Sequence, residues 1–432
     1  MSTFAPLLLA LAAVLPAADF TEVPAVECRP RGGLPNFLAK AATEGAELKV
    51  AYLGGSITAQ NGWRVKTLAH FRKEHPRTKF TEINAAIGGT GSDLGVFRLQ
   101  QDVLSKQPDL VFVEFAVNDG GADPARIIRC MEGIVRQIRR ADPRTDVCFV
   151  YTVTEALVPA LLDGKFQRSA GAMEKVADHY GVPTVHMGLE VARLAKAGRL
   201  LWKSPLPRTE AERAVLGDKF VFAPDGVHPH ESTGHELYLQ AVVRSLPLIA
   251  KASASAASHA LPAPLAPDNF ERARLEPVGR ARLSEGVTLA DMKADPFAKR
   301  WAVRLPQMAP LTRPGQSFTF RFRGTHAAVY DVVGPAGGKV KVTLDGGAPR
   351  VVARFDSYCT YPRLSVFTVG TDLEDREHVV TVELTDERVD KAAVLAQRAQ
   401  KIDDPRRFAD HHAFPGALLL VGELLPEHPS RP

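Results

Sequence analysis

The chain has 432 residues, of which 45% are hydrophobic and 24% charged, with a formal net charge of +5. That is the make-up of a soluble globular protein too long for one ordinary domain, and no dense Lys/Arg block with interleaved aromatics points to nucleic acid. Its four cysteines, Cys28, Cys130, Cys148 and Cys359, form no C-x-x-C pair, which argues against a disulfide framework or a structural zinc site.

Residues 4–15 form a continuous apolar run followed by Pro16-Ala17-Ala18-Asp19. The run is too short to span a bilayer and resembles the apolar core of a signal peptide with small residues at its exit, although no Lys or Arg precedes it. The expectation is removal of residues 1–18 and export to the periplasm or beyond, with no stable membrane insertion afterwards.

A turn-rich lead-in comes next, with a short helix over residues 36–40 capped by Asn36. Residues 50–53 read as a strand that breaks at Gly54-Gly55-Ser56 before a helix over 63–75, with Val65, Leu68, Ala69 and Phe71 available for one face. A second strand, 79–83, runs into the glycine-rich loop Asn84 to Ser92, and a helix follows over 94–106. Residues 109–115 form a strand apolar enough to be buried on both faces; it ends at Ala116-Val117-Asn118-Asp119. Pro124 suits the first turn of a helix reaching about Arg140. Strands over 147–152 and 183–186 alternate with helices over 169–180 and 189–197. Residues 199–219 are polar, proline-bearing and without an assignable pattern. Residues 220–224 lead into Asp225-Gly226-Val227-His228-Pro229, and a helix over 232–249 closes this half. Alternating strands and helices of these lengths predict an α/β fold, a three-layer α/β/α sandwich on a parallel sheet, over residues 19–250.

Residues 251–267 are rich in Ala, Ser and Pro, the composition of a linker, and predict two halves that fold independently. Residues 268–432 change character. Short strands over 317–322, 327–333, 339–344, 365–369, 378–384 and 416–421, a hairpin signal at Asp345-Gly346-Gly347 and an inserted amphipathic helix over 390–401 predict an all-β sandwich. Tyr358 and Tyr361 are candidates for a sugar platform on it, with hairpin packing as the plainer alternative.

Four features fall at strand ends on one edge of the predicted sheet, where open α/β sheets bind ligands. Ser56 is a candidate nucleophile. Asp225 and His228, three apart in one loop, suit a carboxylate that orients a ring through Nδ1–H and leaves Nε2 to take a serine proton. The Asn118 amide and the backbone N–H groups of Gly89 and Ser56 are candidate oxyanion donors. Trp63 and Arg64, just after the serine turn, are candidates for binding a sugar or its acid group, with core packing and a surface charge as the plainer alternatives.

In this order the four blocks, Gly54-Gly55-Ser56, Asn84 to Gly89, Ala116 to Asp119 and Asp225 to His228, resemble those of the SGNH hydrolases, the GDSL-type esterase superfamily, over about residues 48–250. Two positions depart from the family pattern. Gly55 replaces its usual aspartate, and Ala116 replaces a glycine, adding a methyl expected to tighten the site. The resemblance implies a flavodoxin-like sheet and acyl transfer through Ser56, His228 and Asp225, with Ser56, Gly89 and Asn118 as the oxyanion hole and no metal or cofactor. With no long apolar lid segment, and with export and an appended β domain, the expected substrate is a small acyl ester, an acetyl group on a carbohydrate first of all. A lipase, thioesterase or acetyltransferase of the same superfamily and a non-catalytic carbohydrate-binding protein stay open as alternatives.

Overall fold

The computed structural model describes residues 23–426. The apolar run expected to act as a signal peptide lies outside the described residues. Among those residues no helix is long and apolar enough to cross a membrane.

Six strands form the first sheet: β1 (Cys28–Arg29), β2 (Glu47–Gly54), β3 (Lys79–Asn84), β4 (Leu110–Glu114), β5 (Asp146–Tyr151) and β6 (Thr184–His186). Their order is β1-β6-β5-β4-β2-β3, with β2 to β6 parallel and β1 an antiparallel edge. Without β1 this is the doubly wound, flavodoxin-like order, whose direction reverses between β2 and β4. Side chains alternate across it as strand geometry requires. Leu48, Val50, Tyr52, Leu110 and Phe112 enter one core, with helices α1 (Pro35–Ala41), α3 (Trp63–Glu74) and α10 (Gly234–Ala252) over them. Ala51, Leu53, Val111 and Val113 enter the other, beneath α4 (Ser92–Asp102), α5 (Pro124–Ala141) and α7 (Arg168–Tyr180).

Two sequence expectations change here. Asn36 does not cap α1. The helix starts one residue earlier, at Pro35, and the Phe37 N–H is taken by Asp146 Oδ2 at 2.7 Å. The unassigned stretch holds β7 (Leu200–Lys203) and a short helix, α9 (Glu210–Leu216), started by a capping box between Thr209 and Glu212. β7 pairs in parallel with β8 (Phe220–Ala223), which delivers the Asp225 loop.

The second half is one antiparallel sheet organised on β11 (Ser317–Val333), seventeen residues where two separate strands were expected. Its first part pairs with β15 (Arg376–Leu384), its second with β14 (Arg363–Gly370), and most of its length with β16 (Phe414–Leu425). The register slips by one residue between Gly324 and His326. A slip of one exchanges the faces of a strand. Phe318, Phe320 and Phe322 before it, and Ala327 and Val329 after it, therefore all enter the second half's own core. Gly324 pairs with Gly422 at this bend, and a Cβ on either would stand about 2 Å from a carbonyl oxygen of the opposite strand. The expected late helix is shorter, Lys391–Ala396, with Asp390 as its cap. Tyr358 and Tyr361 are exposed, but the Arg398 guanidinium lies 3.6 Å over the Tyr358 ring.

The halves do not stand apart as the linker composition suggested. Beyond the bulge, Ala328, Tyr330 and Val332 of β11, with Leu419 and Val421 of β16, join Phe97 of α4 and Ile127 and Cys130 of α5 in a single core. Nor is the Ala/Ser/Pro stretch a free tether. Ala266 N–H donates to buried Glu132 at 2.7 Å, Arg139 donates to the Ala260 carbonyl at 2.6 Å, and the His259 ring meets Asp146 at 2.6 Å.

Candidate active site

Ser56 is the first residue of the one-turn helix α2 (Ser56–Ala59), directly after β2. Asn118 follows β4, so the two flank the point where the strand order reverses. Asn118 Oδ1 would stand 2.0 Å from a Cβ at position 55. Gly55 therefore leaves the room Asn118 needs to lie against the serine turn, and the family's aspartate would not fit with Asn118 in this place. Gly88 lies beside the Ser56 side chain, and Gly89 is exposed with a positive φ of 73°, a backbone suited to glycine.

The loop after β8 brings the remaining pair. His228 Nε2 is 2.8 Å from Ser56 Oγ, and His228 Nδ1 is 2.6 Å from Asp225 Oδ2. With Nδ1–H donated to Asp225, Nε2 is left to accept the serine O–H. Asp225 Oδ1 accepts the N–H groups of Val227 at 2.9 Å and His228 at 2.8 Å, which closes the loop on itself. Burial opposes ionisation of Asp225, but the hydrogen bonds from the His228 ring and the two N–H groups outweigh it and hold the carboxyl at about 2. Ser56, Asp225, His228, Asn118 and Gly89 thus gather at one edge of the sheet.

The other two expected site residues lie elsewhere. Trp63 is fully buried, edge-on to Tyr52 and Phe112 at ring-centre distances of 5.4 and 5.8 Å. Arg64 is also buried: it donates to the Thr58 carbonyl at the end of α2 at 3.0 Å and pairs with Glu82. Neither side chain is on the surface: Trp63 packs in the core beneath the sheet, and Arg64 holds the end of the serine turn from within. The Ala116 methyl, expected to crowd the site, is likewise buried in the core shared by the two halves.

Several groups that sequence reasoning passed over surround the turn. Glu114, at the end of β4, has no exposed surface and accepts hydroxyls from Thr58 at 2.9 Å and Thr152 at 2.6 Å. Burial raises its pKa against those bonds and one from the Gly55 backbone. A carboxylate ending an otherwise apolar strand was its only sequence signal. Buried His235 accepts the Trp63 N–H at 3.1 Å, and burial lowers its pKa to about 4, keeping the ring neutral for that role. Asp119, beside Asn118, accepts the Ser92 N–H at the start of α4 at 3.0 Å. Among the described residues no group of three or more His, Cys, Asp or Glu is placed to hold a metal ion.

Comparison with known proteins bears on the family of the first half and on the fold of the whole chain. Residues 52–236 match the GDSL-like Lipase/Acylhydrolase family. The first domain is a hydrolase domain of that family. Its chemistry is that of serine carboxylic ester hydrolases. Among curated proteins none matches the sequence. Two solved structures of a two-domain esterase active on acetylated mannans share the whole architecture. One, without ligand, has a TM-score of 0.68 at 22% identity, covering 93% of this chain and 98% of that one. The other, co-crystallised with mannopentaose, has a TM-score of 0.67 at 22% identity, covering 92% of this chain and 97% of that one. At that identity the likeness speaks for the fold of both halves.

Proposed function

We propose that the protein is a serine esterase that removes small acyl groups, acetyl first of all, from a carbohydrate. The observation that carries the reading is the unbroken hydrogen-bonded line Ser56–His228–Asp225, at 2.8 and 2.6 Å, at the switch point of a GDSL-like domain. Ser56 Oγ attacks the ester carbonyl as His228 Nε2 takes its proton, and Asp225 holds the ring in the tautomer this needs. The Ser56 and Gly89 N–H groups and the Asn118 amide receive the oxyanion; one such donor is worth about 3 kcal/mol of barrier. His228 returns the proton to the departing sugar hydroxyl. Water, activated by the same ring, then releases the acid from Ser56.

The carbohydrate part of the reading draws on the acetylated-mannan esterase whose two-domain architecture this chain shares. Export, proposed from the apolar run at residues 4–15, suits a polysaccharide substrate outside the cell. The test is a hydrolysis screen over p-nitrophenyl esters and acetylated glycans, acetylated mannan among them, run beside Ser56→Ala. Release of acetate from a glycan that vanishes in the variant is the expected result. Undiminished turnover in Ser56→Ala removes the mechanism, and activity on free esters with none on any glycan removes the carbohydrate assignment.

A further inference from the structure

The loop that carries Gly89 is held at its base by backbone carbonyls. Ala85 N–H donates to the Tyr52 carbonyl and Ile87 N–H to that of Gly54, both at 3.0 Å, which ties the loop to the strand end before Ser56. The carbonyls of this joint point toward α4, and buried Arg98 collects two of them, Ala85 O and Gly54 O, the latter at 3.3 Å. Its charge is met four residues on by Asp102 at 2.8 Å. Burial lowers the Arg98 pKa, and Asp102 opposes that loss. So far every group belongs to the first domain.

The remaining carbonyl, that of Ala86, is taken from the other half. Arg304 Nη2 donates to Ala86 O at 3.1 Å, and Arg304 Nη1 stands 3.6 Å from the same Asp102 carboxylate. The backbone of Arg304 is anchored here. Its own carbonyl accepts from Gln101 at 3.2 Å, its N–H closes a turn onto the Trp301 carbonyl, and the next residue, Leu305, is fully buried in the core that the two halves share. A planar guanidinium can serve a carbonyl and a carboxylate together, which a lysine ammonium does less well.

We propose that Arg304 is a positioning residue of the esterase site, a strap through which the second domain sets the loop bearing the Gly89 oxyanion donor. The proposal rests on the esterase reading of Ser56 and goes beyond it. It makes the second domain part of the catalytic architecture even for an ester too small to touch that domain. Arg304 acts on the reaction through Ala86 and the joint at Gly54, without contact to the reacting atoms.

The experiment uses the full chain with p-nitrophenyl acetate as the small ester, and compares wild type, Arg304→Ala, Arg304→Lys and Ser56→Ala. Arg406→Ala, an exposed site in the second half paired only locally with Asp404, is the control. Kinetics are read beside hydrogen–deuterium exchange of residues 84–92. Arg304→Ala is expected to lower kcat by about tenfold to about a hundredfold with KM nearly unchanged, because the oxyanion donors matter most in the transition state. Exchange in residues 84–92 should quicken while the rest of the chain keeps its protection, and Arg304→Lys should recover part of both. Unchanged kcat with unchanged exchange in 84–92 overturns the proposal. So does a loss of kcat that accompanies faster exchange over the whole chain, which is the signature of lost stability. If wild-type turnover persists in Ser56→Ala, the esterase reading falls, and the exchange of residues 84–92 alone then decides whether the strap exists.

Discussion

Asp119 and Ser92 join the two loops that flank Ser56: the carboxylate beside Asn118 accepts the Ser92 N–H at 3.0 Å and so anchors the start of α4 next to the Gly89 loop. The pairing is made by a group that burial pushes up to about 7, against the hydrogen bonds from Ser92. Its other oxygen, Oδ2, is buried without a hydrogen-bonding partner among the described residues.

The sign of the resulting pH effect follows from linkage. The native state holds the Asp119 proton more tightly than the unfolded chain, whose carboxyl titrates at 3.8. Stability from this group is therefore complete below about pH 4 and declines as pH rises through about 7, by on the order of 4 kcal/mol if the site does not relax. Asp119→Asn resembles the protonated form and keeps an oxygen for Ser92. Thermal unfolding of wild type should fall between pH 5 and pH 8 more steeply than that of Asp119→Asn. Parallel curves for the two proteins would remove Asp119 as the source.

Asp225 has the opposite sign. Its carboxyl is held at about 2, below its ordinary value of 3.8, so its pairing is in force above about pH 4 and is lost only as pH falls through about 2. It stays ionised across the working range, so protonation of Asp225 should not set the acid limb of kcat/KM. In Asp225→Asn the amide oxygen would keep the backbone N–H bonds of Val227 and His228 and turn an NH2 toward Nδ1, which favours the wrong ring tautomer. A loss of between about 10³- and about 10⁴-fold in kcat is expected, without a comparable loss of folding. Near-normal kcat in this variant would leave Asp225 with no part in orienting the ring.

How much of this was legible in the sequence divides along a physical line. Ser56, Gly89, Asn118 and the Asp225–His228 pair sit where strands end, and a strand end followed by glycine and polar residues is a local signal. Trp63 and Arg64 carry the same local signature as surface sugar contacts. Only the packing of α3 on Tyr52 and Phe112, and the partners Thr58 and Glu82, decide that they are buried. The continuity of β11 was hidden by Gly324, which reads as a break until Gly422 is known to lie opposite it. The Ala/Ser/Pro stretch has the composition of a tether, and its attachment depends on buried groups more than a hundred residues earlier, Glu132 and Asp146 among them. Arg304 had no sequence signal at all, since its partners lie more than two hundred residues away.

The shared core replaces the expectation that the first half would stand alone. Phe97 packs between Phe270 and His326 at ring-centre distances of 5.8 and 5.6 Å, and Tyr330, Leu419 and Val421 belong to the same core. A chain ending at residue 250 would open this core to water, and it is expected to aggregate or to bind hydrophobic dyes. Phe97→Ala in the full chain should cost about 3–5 kcal/mol. A truncated chain that is monomeric and as stable as the intact protein would show that the interface adds little.

The acyl preference depends on what surrounds Ser56 now that the Ala116 methyl is known to lie in the core. The side chains of His228 and Asp225 are 37% and 48% exposed, so the hydrogen-bonded line lies open at the sheet edge and not at the foot of an apolar shaft. Gly88 lies beside the Ser56 side chain and Asn118 lies against Gly55 just before it, and both offer small or polar surfaces. An acyl chain gains about 0.8 kcal/mol for each methylene it buries, and a lipase collects that gain by providing apolar walls. Here each added methylene would stay in water or press against the loops, which brings no gain or a packing penalty. Across p-nitrophenyl acetate, butyrate and octanoate, kcat/KM should therefore be highest for acetate and fall steeply by butyrate. A profile that climbs through octanoate would require an apolar acyl channel beside Ser56 and would point to a lipid-directed enzyme.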